Sequence, residues 1–165
     1  MTKKPKQAPA PQSTVPVRRD GEALYWLLKS EPDAWSWQQQ LKRGVKGEVW
    51  SGVRNYQARN NMRAMLRGDR GFFYHSNEGK EIVGIVEVIE TVRPDPTDDS
   101  GKWDIVVVKA VAPLPRPISL DEIKTVPELA DMVLVNNSRL SVQPVTAAEW
   151  QKICQITGFG ESGRR

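Results

Sequence analysis

Residues 48–63, E-V-W-S-G-V-R-N-Y-Q-A-R-N-N-M-R, gather the side chains best suited to chemistry. A strand ending in Trp50 runs through the turn Ser51-Gly52-Val53 into a helix whose first turn carries Arg54, Asn55 and Tyr56. Such a junction collects backbone N–H groups, an aromatic face and amide or guanidinium donors in one small volume. Those groups suit recognition of a flat ligand with a polar edge. Other aromatics expected at strand ends, Trp26, Tyr74 and Trp103, are interleaved with Ser30, Ser76, Ser138 and Ser141 and with Lys29 and Arg139. Each ring alone reads as core; together they have the make-up of a base-stacking pocket. Arg59, Arg63 and Arg67 fall at i, i+4 and i+8 on the expected helix and lead away from the junction as a phosphate-contacting stripe would.

Catalysis is poorly provided for. His75, the one histidine, follows F-F-Y at a strand end, where a hydrogen-bonded or ligand-contacting imidazole fits better than a general base. The one cysteine, Cys154, lies in the apolar helical repeat W-Q-K-I-C-Q-I and reads as core; it excludes an intramolecular disulfide, and one Cys with one His cannot build a zinc site. No glycine-rich phosphate loop follows a strand, and the acids of 95–104 read as a solvated loop rather than a cation site. No catalytic residue, metal or cofactor is expected.

The 165 residues, 39% of them apolar, fit one domain with one core. No apolar run approaches the roughly 20 residues of a membrane span, and the Lys- and Pro-rich start has no signal-peptide core. A cytoplasmic protein is expected, associated with the nucleoid, or nuclear in a eukaryote. The net charge of +4 misleads if taken whole. Residues 1–20 hold five Lys/Arg against one Asp, while 21–160 carry 17 positive and 18 negative side chains. Within them, 42–70 have eight Lys/Arg against two acids and 78–104 have three against eight, so the fold has a basic and an acidic side.

The elements that must position these residues follow from period and punctuation. Apolar runs at 23–28, 45–50, 72–76, 81–92 and 103–112 read as strands, with Asn77-Glu78-Gly79-Lys80 closing a hairpin. S-x-x-Q at Ser36, S-x-x-E at Ser119 and T-x-x-E at Thr146 mark helix starts, and a further helix is expected over 55–66. Pro113, Pro115 and Pro117 mark the end of the last long strand, and N-N-S-R-L-S-V at 136–142 is too polar for core. The strands lack βαβ alternation, which argues for an α+β domain built on a small curved mixed sheet or barrel with short flanking helices.

K-S-E-P at 29–32, V-W-S-G-V-R-N-Y-Q-A-R-N at 49–60, G-D-R-G-F-F-Y-H-S-N at 68–77 and S-R-L-S-V-Q-P at 138–144 resemble the EVE domain family over about residues 24–157. The resemblance implies a PUA-like fold, a pseudo-barrel, with a pocket that reads modified bases in nucleic acid. More distantly the chain is similar to YTH domains, whose aromatic cage holds a methylated adenine. K-S at 29–30 and W-S at 50–51 match that pattern, which implies Trp50 as a cage wall and Ser51 as a polar contact at the floor. From the residues alone, Trp103 or Trp26 would supply a second wall.

The expected organisation is a disordered basic, Pro-rich tail over 1–21, an EVE domain over 22–158 and a flexible tail over 159–165. The expected function is that of a monomeric, non-enzymatic reader of DNA or RNA carrying a 5-methylcytosine-like base or a methylated adenine, with no membrane partner. The flipped base would enter beside Trp50, with Asn55 and Ser51 on its polar edge and Lys29, Arg54 and Arg139 on adjacent phosphate. Gly52, Val53, Tyr74, His75 and Ser76 would complete the lining. Trp50→Ala is expected to abolish binding and spare the fold. The competing readings are a hydrolase of the ASCH branch acting on RNA or a modified nucleoside, with Lys29 and Glu31 as acid/base pair, and a protein-interaction module around Trp103.

Overall fold

Strands 14 and 16 residues long set the shape of the molecule. In the computed structural model, which describes residues 15–160, the elements in order are β1 (Tyr25–Ser30), α1 (Trp37–Lys42), β2 (Glu48–Trp50), α2 (Tyr56–Ala64), β3 (Arg70–His75), β4 (Glu81–Pro94), β5 (Asp104–Ser119), α3 (Leu120–Lys124), α4 (Val133–Asn136), β6 (Val142–Val145) and α5 (Ala147–Thr157). The strands form one six-stranded sheet in the order β2-β5-β4-β3-β1-β6. β1 and β3 run parallel and every other pair is antiparallel. The expected α+β class and curved mixed sheet are therefore what the chain forms. Among the described residues no helix is long and apolar enough to cross a membrane.

The β4–β5 ladder shifts register at four places between Ile82 and Arg93. Each bulge bends the strand and adds right-handed twist, so the hairpin curls and carries the outer strands towards one another. β5 continues to Ser119 through the three prolines expected to end it. Pro115 and Pro117 fall where the β4–β5 register jumps between Gly84↔Pro113 and Ile82↔Ile118, so their missing N–H groups break no ladder there. On the other side β2 pairs only with Val106–Val108, well before the prolines. The expected strand at 45–50 is shorter, since Gly44–Lys46 forms a 3-10 turn and only Glu48–Trp50 joins the sheet. β6 begins at Val142, the last residue of the stretch read as too polar for core, and pairs with β1; Leu140 and Val142 of that stretch are buried.

Both faces of the sheet are covered, which explains apolar runs such as L-Y-W-L-L without alternation. Trp26, Leu28, Phe73, Val86 and Val88 pack on one side with Trp37 and with Ala58, Met62 and Met65 at α2. Leu27, Phe72, Ile82 and Ile85 pack on the other with Trp150, Ile153 and Cys154 of α5. All three capping sequences are used: Ser36, Ser119 and Thr146 each accept from the backbone N–H three residues on.

Asp69, buried between α2 and β3, organises one end of the first face. Its carboxylate accepts from the N–H groups of Leu24 and Leu66, from the Trp26 indole at 3.0 Å, and from both terminal nitrogens of Arg18 at 2.7 Å. Burial pushes the Asp69 carboxyl up, and the bonds from Arg18, Leu66, Trp26 and Leu24 outweigh it, leaving the group below the ordinary carboxylate value. Arg18 lies in the stretch expected to be a disordered tail, yet its guanidinium is anchored here and also donates to the carbonyls of Ala64 and Glu22. Residues 1–14 of that tail and the C-terminal residues 161–165 lie outside the described residues. Removing one partner of a buried pair leaves the other charge uncompensated, so Arg18→Ala should cost about 3 kcal/mol in urea unfolding. Trp26→Phe, which withdraws one donor from the same carboxylate, should cost about 1–3 kcal/mol.

Candidate functional site

Curling brings the C-terminal end of β1 and the K-S-E-P segment after it opposite β2, the edge strand at the other end of the sheet. Between them lies a cavity of about 360 Å³. Lys29, Ser30 and Glu31 line it on one side, Glu48, Val49, Trp50 and Ser51 on the other, and Ala34 and Trp35 reach it from the connecting loop. An edge strand keeps one row of backbone groups outside the ladder, so this wall is polar as well as aromatic.

Two indoles contribute to the lining. Trp50 is 8% exposed and packs edge-to-face on Phe73, with ring centroids 5.7 Å apart and planes at 88°. Trp35 is half-buried and held from two directions. Its indole N–H donates to Gln40 Oε1 at 2.9 Å, and Gln40, wholly buried, donates in turn to the Val108 carbonyl on β5 at 3.1 Å. The Ser30 hydroxyl donates to the Trp35 carbonyl. Lys29 crosses to the segment before β6: its N–H donates to the Ser141 carbonyl at 2.9 Å and its ammonium to the Ser138 carbonyl at 2.7 Å. Burial pulls the Lys29 ammonium below its ordinary pKa. K-S at 29–30 and S-R-L-S at 138–141, far apart in sequence, are thus joined at one place.

The turn after Trp50 is latched to the acidic loop. Gly52 has φ +80, a conformation that favours glycine. Its N–H donates to Asp95 Oδ2 at 3.2 Å, and Arg54 Nη1 donates to the same oxygen at 3.1 Å. The Thr97 N–H and hydroxyl fill Asp95 Oδ1. Burial pushes this carboxyl up, but the bonds from Thr97, Gly52 and Arg54 hold it at about 2. Asn55 caps α2, its Oδ1 accepting from the Ala58 N–H at 2.8 Å.

Several residues expected at the ligand lie elsewhere. Trp26 is wholly buried with its N–H on Asp69, so a ligand cannot reach it. Tyr74 is buried with the core on the opposite face, where burial and the charge of Asp121 push its hydroxyl up to about 12. His75 Nε2 accepts the Trp37 N–H at 3.1 Å and ties α1 to β3; burial lowers its pKa against the pull of Glu81. The Ser76 N–H donates to the Ser30 carbonyl, and Val53 is core. Trp103 is no second wall: it stacks on Tyr56 at 4.8 Å, beneath the guanidiniums of Arg54 and Arg59. Two members of the arginine stripe are engaged within the fold, and the third, Arg67, lies beyond the end of α2 at Ala64. Arg63 pairs with Asp104 at 2.6 Å, and Arg59 donates to Asn60 and the Lys102 carbonyl. Arg67 and Arg139 are exposed, and the Arg139 N–H donates to Asn137.

Trp35 and Glu48 escaped the sequence reading. A signal for Trp35 existed, because it is the residue before the Ser36 cap, the position that packs against the fourth helical residue, here Gln40.

The curved six-stranded mixed sheet with a few short helices is the architecture of PUA-like domains. Residues 24–156 match the model of the EVE domain, and the chain belongs to the EVE family. Rat thymocyte nuclear protein 1 is 36% identical, over 88% of this chain and 79% of that protein. A crystal structure of a protein from Agrobacterium tumefaciens is 56% identical, with a TM-score of 0.81 over 82% of this chain and 94% of that one. The human THYN1 protein, crystallised in complex with 5-methylcytosine-containing DNA, is 32% identical, with a TM-score of 0.76 over 82% of this chain and 98% of that one. A YTH domain from Zygosaccharomyces rouxii, 18% identical at a TM-score of 0.52, shares the fold.

Asp95 makes the latch sensitive to acid in one direction. Its folded value of about 2 lies below the ordinary 3.8, so its contribution is complete above that ordinary value and disappears as pH falls through about 2. Asp95→Asn should remove this part of the acid-unfolding curve followed by tryptophan fluorescence, and a curve unchanged from the wild type would refute the latch.

Proposed function

We propose that this chain is a nucleic-acid-binding module that takes one modified nucleobase of DNA or RNA into the cavity between β1 and β2. The observation that carries the reading is that Trp35 and Trp50 line one cavity together with the polar residues Lys29, Ser30 and Ser51. Aromatic faces supply stacking of about 1–3 kcal/mol per base, and the polar groups supply orientation. A base in a duplex must first leave the stack at a cost of a few kcal/mol, which favours modest affinity and single-stranded or easily opened sites. The human relative's complex with 5-methylcytosine-containing DNA supports a methylated cytosine as ligand; a methylated adenine is the alternative. Exposed Arg139, next to the Ser138 that holds Lys29, is placed to take an adjacent phosphate.

The competing hydrolase has less support. Lys29 and Glu31 line the same cavity, but the Lys29 ammonium is bonded to the Ser138 carbonyl, and among the described residues Glu31 forms no ion pair. The module acts as a monomer on this reading: the edge strands β2 and β6 are three and four residues long, and the stretch of β5 beyond β2 carries Pro113, Pro115 and Pro117, so the sheet offers little to a second copy. A cytoplasmic location is not supported by relatives named as nuclear proteins; the chain belongs in the compartment that holds its nucleic acid.

Trp50→Ala is a poor test, because the ring is core packing and its loss costs about 3–5 kcal/mol. Trp35→Ala is better. It should weaken binding to an oligonucleotide carrying 5-methylcytosine or N6-methyladenine by about tenfold or more, with far-UV circular dichroism unchanged. A folded variant that binds as the wild type does would put the ligand elsewhere.

A further inference from the structure

The cavity wall holds a carboxylate that base stacking leaves without a task. Glu48 stands two residues before Trp50 on β2, so the two side chains share one face of the strand. Its position is fixed by its surroundings. Glu48 Oε1 accepts from Arg43 Nε at 3.0 Å, and that same Nε donates to the Gly47 carbonyl at 2.9 Å. Gly47, at φ +73, packs so tightly on β5 that a Cβ would sit 2.6 Å from the Val108 carbonyl. The entry to β2 therefore has one path, and the carboxylate projects from a rigid element rather than a loop. Glu31, the other acid at the cavity, is exposed on the segment after β1.

Two carboxylates stand at this wall, Glu48 with one oxygen on Arg43 and Glu31 in no ion pair among the described residues, and their remaining oxygens favour N–H donors over a phosphate. Nucleobases differ in that respect. Cytosine and adenine carry an exocyclic amine where thymine, and hypoxanthine in place of adenine, carry a carbonyl oxygen. We infer that Glu48 is the specificity-determining acceptor of the cavity, taking a hydrogen bond from the exocyclic amine of the bound base. The site then admits amino-bearing bases and rejects keto bases of the same shape, because a carbonyl facing the carboxylate leaves two acceptors without a donor. The inference rests on the base-binding reading above and adds to it which edge of the base is read, and by what.

Matched pairs of single-stranded oligonucleotides test it: 5-methylcytosine against thymine, which share the methyl group, and N6-methyladenine against hypoxanthine at the same position. The wild type should bind the amino member of its preferred pair at least about tenfold tighter. Glu48→Gln has the same shape but offers an amide donor as well as an acceptor, and should erase the preference while still binding. Glu48→Asp, which withdraws the carboxylate by one methylene, should reduce the preference without erasing it. Equal wild-type affinities within both pairs, or a Glu48→Gln protein that keeps the full preference, would overturn the assignment; the pocket reading would stand as long as Trp35→Ala weakens binding. If Trp35→Ala changes nothing, or the wild type binds no member of either pair, the pocket reading fails and this inference fails with it.

Discussion

Much of the architecture depends on one buried carboxylate. Asp69 cannot remain charged in the interior unless donors surround it. The donors come from four places: the segment before β1, β1 itself, the end of α2 and the N-terminal Arg18. Satisfying that one group fixes the relative positions of β1, α2 and β3 at one end of the sheet. A second buried bond, from Asn61 Nδ2 to the Val142 carbonyl at 2.7 Å, ties α2 to β6 on the same side. With α2 held by its far end, its N-terminus and the turn at 51–55 are presented where β1 ends. The cavity is a consequence of this anchoring, although none of the anchoring groups lines it.

The cavity itself is built from a gap in hydrogen bonding. The sheet curls without β1 pairing to β2, and side chains fill the space between them. Gln40 bridges the Trp35 indole to β5, Lys29 bridges β1 to the segment before β6, and Asp95 fastens the turn after Trp50 to the β4–β5 loop. Each of these is a polar side chain bonded to backbone or to an indole, so the aromatic rings are oriented before any ligand arrives.

Much of this was legible in the sequence, and the failures have physical causes. Capping boxes are local chemistry, and Ser36, Ser119 and Thr146 start helices where expected. The junction at 48–55 was recognisable because strand, turn and cap signals follow one another without a break. Trp26 and Trp50 read alike, however, as aromatics in apolar runs; both pack in the same core, and what separates them is that Trp26 is wholly enclosed with its N–H on Asp69 while Trp50 also lines the cavity. Those partners lie far away in the chain. The arginine stripe holds only in part: Arg59 and Arg63 lie on α2, but the helix stops at Ala64, before Arg67, and the acid that pairs with Arg63, Asp104, comes from β5, a pairing that no periodicity reports. The prolines at 113, 115 and 117 were read as a stop because the register jump against β4 and the short β2, which leave this stretch with few ladder bonds to lose, are set by the sheet and not by the strand.

The pairing of that basic face has a consequence for competition among sites. A protein gains affinity for any nucleic acid by releasing the cations condensed on phosphates, in proportion to the number of phosphates it neutralises. Arg63 and Arg54 already hold Asp104 and Asp95, and so release few condensed cations on contact with a strand. On the proposed reading the folded domain would show a shallow dependence of binding on ionic strength and little retention by the large excess of unmodified polymer. Discrimination would then fall to the cavity, and the time spent on irrelevant sequence would be short.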